Sequence, residues 1–275
     1  MSDDQTLDSM RFMPRTLAAL GDRGTTFAHY YDNYSLCCPS RATLLTGRYA
    51  HNHGVWSNAP PSGGFDKLDS TRTLPVWLQR AGYYTGFIGK YLNGYDAHRT
   101  DLPPLVPPGY DDWQGTTITG TYYDYEFNEQ GVLVPYGHSA AEYQSDVFTS
   151  KAVDFIERRA PAARPFFLWV SYFAPHSGGP DPNPHPPYDC AGSAKPAPRD
   201  AGAFDTEPLP RPPDFNEADV SDKPAAIRDL PPLDQGQIDD ITRTYRCRIE
   251  SLLALDRGVA RVVAALRRSG SSTTP

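Results

Sequence analysis

Residues 165–173, PFFLWVSYF, form a continuous apolar run of the kind found in strands buried on both faces of a sheet. The preceding stretch, residues 145–159, carries apolar side chains at helical spacing. A longer apolar stripe at helical spacing begins at residue 237 and stops at Gly270. Because helix and strand patterns alternate along the chain, we predict an α/β fold with helices flanking a sheet.

Four shorter patterns extend the alternation. Residues 25–31, TTFAHYY, are rich in aromatic and β-branched side chains and predict a strand. Residues 39–46 begin with a proline suited to a first helical turn and end before a glycine, so they predict a helix. A short helix is predicted over residues 74–80, and the strand that follows it over residues 83–90.

Length and charge narrow the classes of function. The 275 residues allow one large α/β domain or two small ones. A formal net charge of −7 provides no broad basic surface, so we expect no nucleic-acid partner. The sequence has no run of about 18 apolar residues and no apolar leader near its start. We therefore expect no membrane partner, and the cellular location stays open.

The region between residues 175 and 232 holds more than half of the chain's 28 prolines. Proline removes a backbone donor and interrupts helices, so this density predicts a long surface excursion. Cys190 lies within it and could pair with Cys247 if the protein is exported. Four cysteines in a chain of this length are too few for a disulfide scaffold.

Three residues whose side chains can take part in catalysis occupy equivalent positions in the predicted topology. Cys37, Lys90 and His176 each follow a predicted strand. In open α/β sheets, ligands bind at the carboxyl ends of the strands. We therefore expect these three side chains to lie near one another.

The adjacent cysteines, Cys37 and Cys38, allow several interpretations. Buried cysteines are often purely structural. A zinc site with His51 and His53 would use suitable ligand types, but adjacent thiolates strain a tetrahedral chelate. The third interpretation is chemical, because a cysteine at the start of a helix lies where anions bind.

The stretch around Cys37, CCPSRATLLTGRYAHNHGV, resembles the signature of the type I sulfatases, whose first cysteine is oxidised to formylglycine. It is most similar to the N-acetylglucosamine-6-sulfatase and heparan-endosulfatase branch. Further similar segments are GFIGKYLNGY, SYFAPHSGGP, DFNEADVSDKP and RCRIESLLALDRGVARVV, so the resemblance covers nearly the whole chain. It implies a sulfuric ester hydrolase acting on a sulfated small molecule or glycan, with a formylglycine-generating enzyme as a maturation partner.

The resemblance also implies roles for particular residues. Cys37 would be converted to formylglycine, whose hydrate offers one hydroxyl to attack sulfur and a second whose deprotonation expels sulfate. Arg41 would hold that hydrate, and Lys90 would bind a sulfate oxygen. His176 would bind sulfate or assist proton transfer to the leaving group.

Further implied positions concern the substrate and a metal ion. His53 and Asn93 would contact the substrate. Asp3 and Asp4 resemble the family's paired carboxylates and would ligate a divalent cation together with the group at Cys37. Hard oxygen donors suit Ca²⁺, or alternatively Mg²⁺.

Two family features are missing from this sequence. Family members carry an apolar strand before the Asp pair, and they continue beyond the long helix into further metal and sulfate ligands and a smaller domain. The resemblance therefore implies an alkaline-phosphatase-like sheet, incomplete at both termini, in one catalytic domain over residues 1–275 with an excursion over 175–233. Two alternatives stay open: a phosphoester or phosphonate hydrolase of the same superfamily, and a catalytically dead remnant.

Overall fold

The computed structural model describes residues 1–117, 120–179 and 190–270. Its central feature is a five-stranded sheet in the order β4-β3-β2-β1-β5. The strands, in chain order, are β1 (Tyr84–Gly89), β2 (Asp112–Thr116), β3 (Glu126–Glu129), β4 (Val132–Pro135) and β5 (Phe166–Ser171). Strand β1 pairs in parallel with both β2 and β5, whereas β3 pairs antiparallel with β2 and with β4. The sheet is therefore mixed, with its parallel part at the β5 side.

Seven α-helical segments accompany the sheet in the described residues. They are α1 (Pro14–Thr16), α2 (Cys37–Thr46), α3 (Ala50–His53), α4 (Leu74–Arg80), α5 (Gln144–Arg159), α6 (Ala225–Arg228) and α7 (Gln235–Arg268). Helix α7 begins at a capping box in which Asp234 accepts from the Gln237 backbone. The helices α2, α4, α5 and α7 and the strands β1 and β5 confirm the sequence predictions for those segments. No helix among the described residues is long and apolar enough to cross a membrane.

Apolar side chains alternate across the sheet and form two main cores. Phe87 of β1 packs with Trp113 and with Ala42 of α2 on one face. Its neighbour Ile88 packs on the other face with Phe148 of α5 and with residues of α7. Successive side chains of a strand point to opposite faces, so one strand supplies both cores. The result is three layers, with α2 and α4 on one side of the sheet and α5 and α7 on the other.

Glycine at position 86 permits close packing of α5 on the sheet. A Cβ atom built there would lie 2.4 Å from the Phe155 ring. Any side chain would therefore push the helix away from β1. At the end of α2, Gly47 has a φ of 64°, in the left-handed region that glycine adopts without strain.

The predicted strand over residues 25–31 is wrong. Residues 22–36 form no strand, and Phe27, Tyr30 and Tyr31 are largely exposed. A cleft of about 440 Å³ separates Tyr30 and Tyr31 from residues 167–169 of β5. Strand propensity produces a strand only where a neighbouring backbone exchanges hydrogen bonds with it, and in the described structure residues 25–31 form none.

The proline-rich region contains little regular structure over the part that the structure describes. Residues 190–234 are mostly turns, apart from the single-turn helix α6. Cys190 and Cys247 form a disulfide with a Cα–Cα distance of 5.9 Å. This bond attaches the excursion to α7, and the remainder of the prediction, residues 180–189, lies outside the described residues.

Candidate active site

Helix α2 presents Cys37 at its first turn. Leu36 is extended and ends the preceding loop, and Ser40 begins the helical hydrogen bonding by donating to the Leu36 carbonyl. The Asn58 side chain accepts from the Cys38 backbone N–H at 2.9 Å. This bond satisfies one of the donors that a helix start leaves free, so Asn58 fixes the end of α2 that carries Cys37.

The N-terminal residues bring Asp3 to the same place. Met1 donates to the Val170 carbonyl and accepts from the Tyr172 backbone, and Asp3 donates to the Ala174 carbonyl. Residues 1–3 therefore run beside the end of β5, and the Asp3 side chain is buried. Its Oδ1 lies 3.9 Å from the Cys37 Sγ.

Lys90 follows β1 directly and points at this cluster. Its Nζ lies 3.6 Å from the Cys37 Sγ and donates a short hydrogen bond to Asp3 Oδ2. Arg41 lies one turn after Cys37 and donates to Asp3 Oδ1 at 3.3 Å. Burial raises the pKa of Asp3, but the charges of Arg41 and Lys90 more than offset it and hold that pKa below its usual value. Asp3 is therefore a carboxylate at neutral pH.

Arg41 itself is fully buried. Its Nη1 donates to the Lys90 carbonyl and to Ser171 Oγ, both at 2.6 Å. The guanidinium thus ties together the ends of β1 and β5 and the Asp3 carboxylate. This arrangement makes Arg41 a fixed positive charge beneath Cys37.

His176 closes the cluster from the other side. Suitable ligand atoms of Asp3, Cys37 and His176 all lie within 4.8 Å of one another. Tyr122 donates to the His176 carbonyl at 2.8 Å, and the His176 Nε2 lies 3.4 Å from Asp4 Oδ2. The expectation that Cys37, Lys90 and His176 would lie together is met, although no strand precedes Cys37.

Burial raises the pKa of both thiols, those of Cys37 and Cys38. It is the largest influence on Cys37 and raises its pKa, although Lys90 opposes the shift. Burial also raises the pKa of Cys38 to about 11. The Cys38 Sγ accepts from the Asn93 backbone N–H at 3.1 Å, so this thiol belongs to the core behind α2. Of the two thiols, only that of Cys37 lines the cavity of about 300 Å³ that residues 1–5 form with the start of α2.

The other predicted positions lie in different surroundings. His53 Nε2 lies 3.2 Å from Thr43 Oγ1, and its Nδ1 accepts from Val55, so its contacts are with the flank of α2. Asn93 lies behind Cys38, with its Oδ1 3.5 Å from Sγ. Asp4 lies outside the three-residue ligand cluster but contacts His176 within it.

Three supporting residues were not predicted from the sequence. Ser171 ends β5, and the rule that strand ends carry site residues could have found it. Asn58 has no local signal. Arg248 lies on α7 and donates to the carbonyl of Asp4. The φ of Asp4 is 58°, in the left-handed region that few residues other than glycine adopt. A helical arginine far along the chain is not distinguishable from a surface charge by spacing alone.

A cysteine at a helix start, a lysine after β1 and a carboxylate beside the end of β5 thus meet at the carboxyl edge of the parallel strands, which is where ligands bind in open α/β proteins. The family model described as Sulfatase matches residues 4–274. The chain belongs to the sulfatase family. That family generally uses a metal ion and formylglycine.

Relatives and solved structures agree with this assignment. The chain is 31% identical to the extracellular sulfatase SULF-1 homolog of Drosophila melanogaster over 98% of its own length and 23% of that protein. It is 30% identical to the N-acetylglucosamine-6-sulfatase of Homo sapiens, over 97% of its own length and 47% of the relative. It thus spans less than half of the length of these relatives.

Two solved structures share the fold. One is a complex with its substrate D-glucosamine-2-N,6-O-disulfate, at a TM-score of 0.70 and 23% identity, covering 98% of this chain and 62% of the other. The second is a phosphonate monoester hydrolase from Silicibacter pomeroyi, at a TM-score of 0.58 and 20% identity, covering 98% of this chain and 59% of the other. The fold is therefore the alkaline-phosphatase-like sheet flanked by helices that the resemblance implied.

Proposed function

We propose that the chain hydrolyses O-sulfate esters of a glycan or an aryl alcohol, with Cys37 as the nucleophilic centre after its conversion to formylglycine. The convergence of Cys37, Lys90, Asp3 and His176 at the start of α2 supports the proposal. A sulfate ester is an anion, so attack at sulfur requires positive charge around the nucleophile. Lys90, Arg41 and the helix start supply that charge within one turn of Cys37.

The hydrated aldehyde would offer one hydroxyl to attack sulfur and a second whose deprotonation expels sulfate as the carbonyl re-forms. Lys90 binds a sulfate oxygen, because its Nζ already lies 3.6 Å from the reacting side chain. Arg41 acts through charge rather than contact, since it is buried and bonded to Ser171 and Asp3. Its field favours the ionised form of the nucleophile.

His176 transfers the proton to the leaving alcohol. Its Nδ1 lies 2.7 Å from the Ser177 carbonyl oxygen. A carbonyl only accepts hydrogen bonds, so Nδ1 carries a hydrogen and Nε2 is the nitrogen that exchanges protons. Tyr122 fixes the backbone of His176, and Asp4 faces Nε2. We also propose that His53 and Asn93 contact a bound substrate only at its periphery, since both are held on or behind the flank of α2.

The donor set fits a divalent cation. Asp3 is a buried carboxylate, Asp4 is its neighbour, and a converted Cys37 would offer oxygen in place of sulfur. We propose Ca²⁺ as the ion, with Mg²⁺ as the alternative, held by these residues with His176 in the same cluster. Such an ion would supply positive charge beside a sulfate oxygen.

The test combines mass spectrometry with parallel assays. The chain is expressed with a formylglycine-generating enzyme, and conversion lowers the mass of the Cys37 peptide by about 18 units, because sulfur and two hydrogens are exchanged for oxygen. We expect sulfate release from 4-nitrophenyl sulfate in proportion to the converted fraction, and none from Cys37→Ala. Equal release by Cys37→Ala would contradict the proposal.

The same assay addresses the alternatives. The fold is shared with a phosphonate monoester hydrolase, so 4-nitrophenyl phosphate and a phosphonate ester are run beside the sulfate. Faster turnover of either one would favour that function over sulfate hydrolysis. No turnover of any ester by fully converted protein would favour a catalytically dead chain.

A further inference from the structure

Two exposed aromatic side chains stand together beside the start of α2. Trp56 is 43% exposed and Tyr34 is 37% exposed. Their ring centroids are 6.1 Å apart and their planes meet at 75°, an edge-to-face arrangement. Two of the other three tryptophans, Trp113 and Trp169, are buried in the core. An aromatic pair left partly open to solvent, on two segments that lead into the first turn of α2 or bond to it, needs an explanation of its own.

Backbone and side-chain bonds hold Trp56 against the flank of α2. Two residues after it, Asn58 bonds the Cys38 N–H at 2.9 Å, and three residues before it, His53 contacts Thr43. Trp56 therefore lies between two attachments to the helix, with its Cα within about 7 Å of that of Asn58, as the reach of two residues requires.

A narrow ribbon fixes Trp56 from its other side. The Trp56 N–H donates to the Ser62 carbonyl at 2.7 Å, and Gly64 donates to Ser57. A Cβ atom at Gly63 would lie 1.7 Å from the Ser57 carbonyl oxygen, so the backbones of residues 57 and 63 are in direct contact. These bonds hold the backbone that carries the indole, which reduces the entropy cost of ligand binding.

Tyr34 contacts Trp56 from a different segment, the loop that precedes α2. It lies three residues before Cys37, and its carbonyl accepts from the Leu36 N–H at 2.8 Å, in the turn that leads into α2. Its N–H donates to the Asp32 side chain at 3.2 Å. The aromatic pair thus flanks the helix start on which the anion is expected to bind.

We infer that Trp56, with Tyr34 at its edge, is a stacking surface for the pyranose ring that carries the sulfate ester. A pyranose has an apolar C–H face and hydroxyl groups around its rim. Polar groups likewise lie beside the pair, since the Asp32 side chain accepts from the Tyr34 N–H, and Ser62, whose carbonyl accepts from the Trp56 N–H, shares an exposed hydroxyl contact with Ser57. An aryl ring would gain most from an enclosed apolar slot, whereas this surface is open and has a polar border.

The inference deepens the proposed function, because it names a sugar as the alcohol released. It is tested by binding and not by turnover, so the two ideas fail separately. Unconverted protein, which keeps its thiol, is titrated by calorimetry with glucose 6-sulfate, 4-nitrophenyl sulfate and inorganic sulfate. Trp77 provides a matched control, since it is 42% exposed on α4 and lies outside the pair.

We expect Trp56→Ala to weaken glucose 6-sulfate binding about tenfold, the scale of a lost aromatic contact. Inorganic sulfate should bind unchanged, Trp77→Ala should have no effect, and Trp56→Phe should restore part of the affinity. Three results would overturn the inference: no binding of glucose 6-sulfate by the parent protein, equal weakening of inorganic sulfate, or equal effects of the two alanine variants. Weakening of 4-nitrophenyl sulfate alone would assign the surface to an aryl ring instead.

Discussion

Ser171 supports the buried charge beneath Cys37, and its removal should destabilise the protein. The side chain is fully buried at the end of β5, and its Oγ accepts from Arg41 Nη1 at 2.6 Å. Ser171→Ala removes that acceptor. The guanidinium, itself fully buried, then keeps fewer partners and cannot recover the bond from solvent.

The structure offers a matched serine with a neutral partner. Ser251 is equally buried; its Oγ donates to the Arg248 carbonyl at 2.7 Å and also contacts the neutral Tyr122 hydroxyl. Hydrogen bonds to charged groups contribute about 1.5–3 kcal/mol, whereas neutral ones contribute about 0.5–1.5 kcal/mol. We therefore expect Ser171→Ala to lower the free energy of unfolding by about 2 kcal/mol and Ser251→Ala by about 1 kcal/mol.

Urea unfolding followed by circular dichroism measures both changes, with the m-value unchanged between variants. A double-mutant cycle then identifies the cause. In an Arg41→Met background there is no guanidinium to leave unbonded, so Ser171→Ala should cost at least about 1 kcal/mol less than in the parent. Equal costs for Ser171→Ala and Ser251→Ala, or the same cost in both backgrounds, would refute the reasoning.

Two further predictions concern α7 and its attachments. Replacing Cys190 and Cys247 by serine removes a cross-link between residues 57 positions apart. On the chain-entropy model this should lower the free energy of unfolding by about 4 kcal/mol. An unchanged thermal midpoint under oxidising conditions would contradict this expectation. Glu250 is fully buried, burial raises its pKa, and its Oε2 has no hydrogen-bond partner. The folded state therefore favours protonated Glu250, and stability is lost as pH rises from the unfolded pKa near 4.3 towards the raised folded pKa. Glu250→Gln keeps the bond to the Phe204 N–H and should match the parent at pH 4 but melt at a higher temperature at pH 7; a lower midpoint at pH 7 would argue against it.

Much of the site follows from local sequence pattern. The strand preceding Lys90 and the helix carrying Cys37 are each encoded within about ten residues by periodicity, proline and glycine. Once β1 and β5 are parallel, their carboxyl ends share an edge, so Lys90 and His176 must lie close. The resemblance around Cys37 adds the chemistry to that geometry, and the family model confirms it at the level of the family.

Pairing and long-range contact were decided only by the tertiary structure. Residues 25–31 have strand composition but pair with no strand, and they lie exposed beside a cleft. Arg41 has the sequence context of a site residue but is buried, because Ser171 and Asp3 reach it from distant parts of the chain. The spacing of residues along a chain predicts which face of a helix or strand a side chain lies on. The partners of that side chain depend on how separate segments pack. The sequence by itself therefore determined helices α2, α4, α5 and α7 and strands β1 and β5, whereas packing determined the remaining strands of the sheet and which groups surround Cys37.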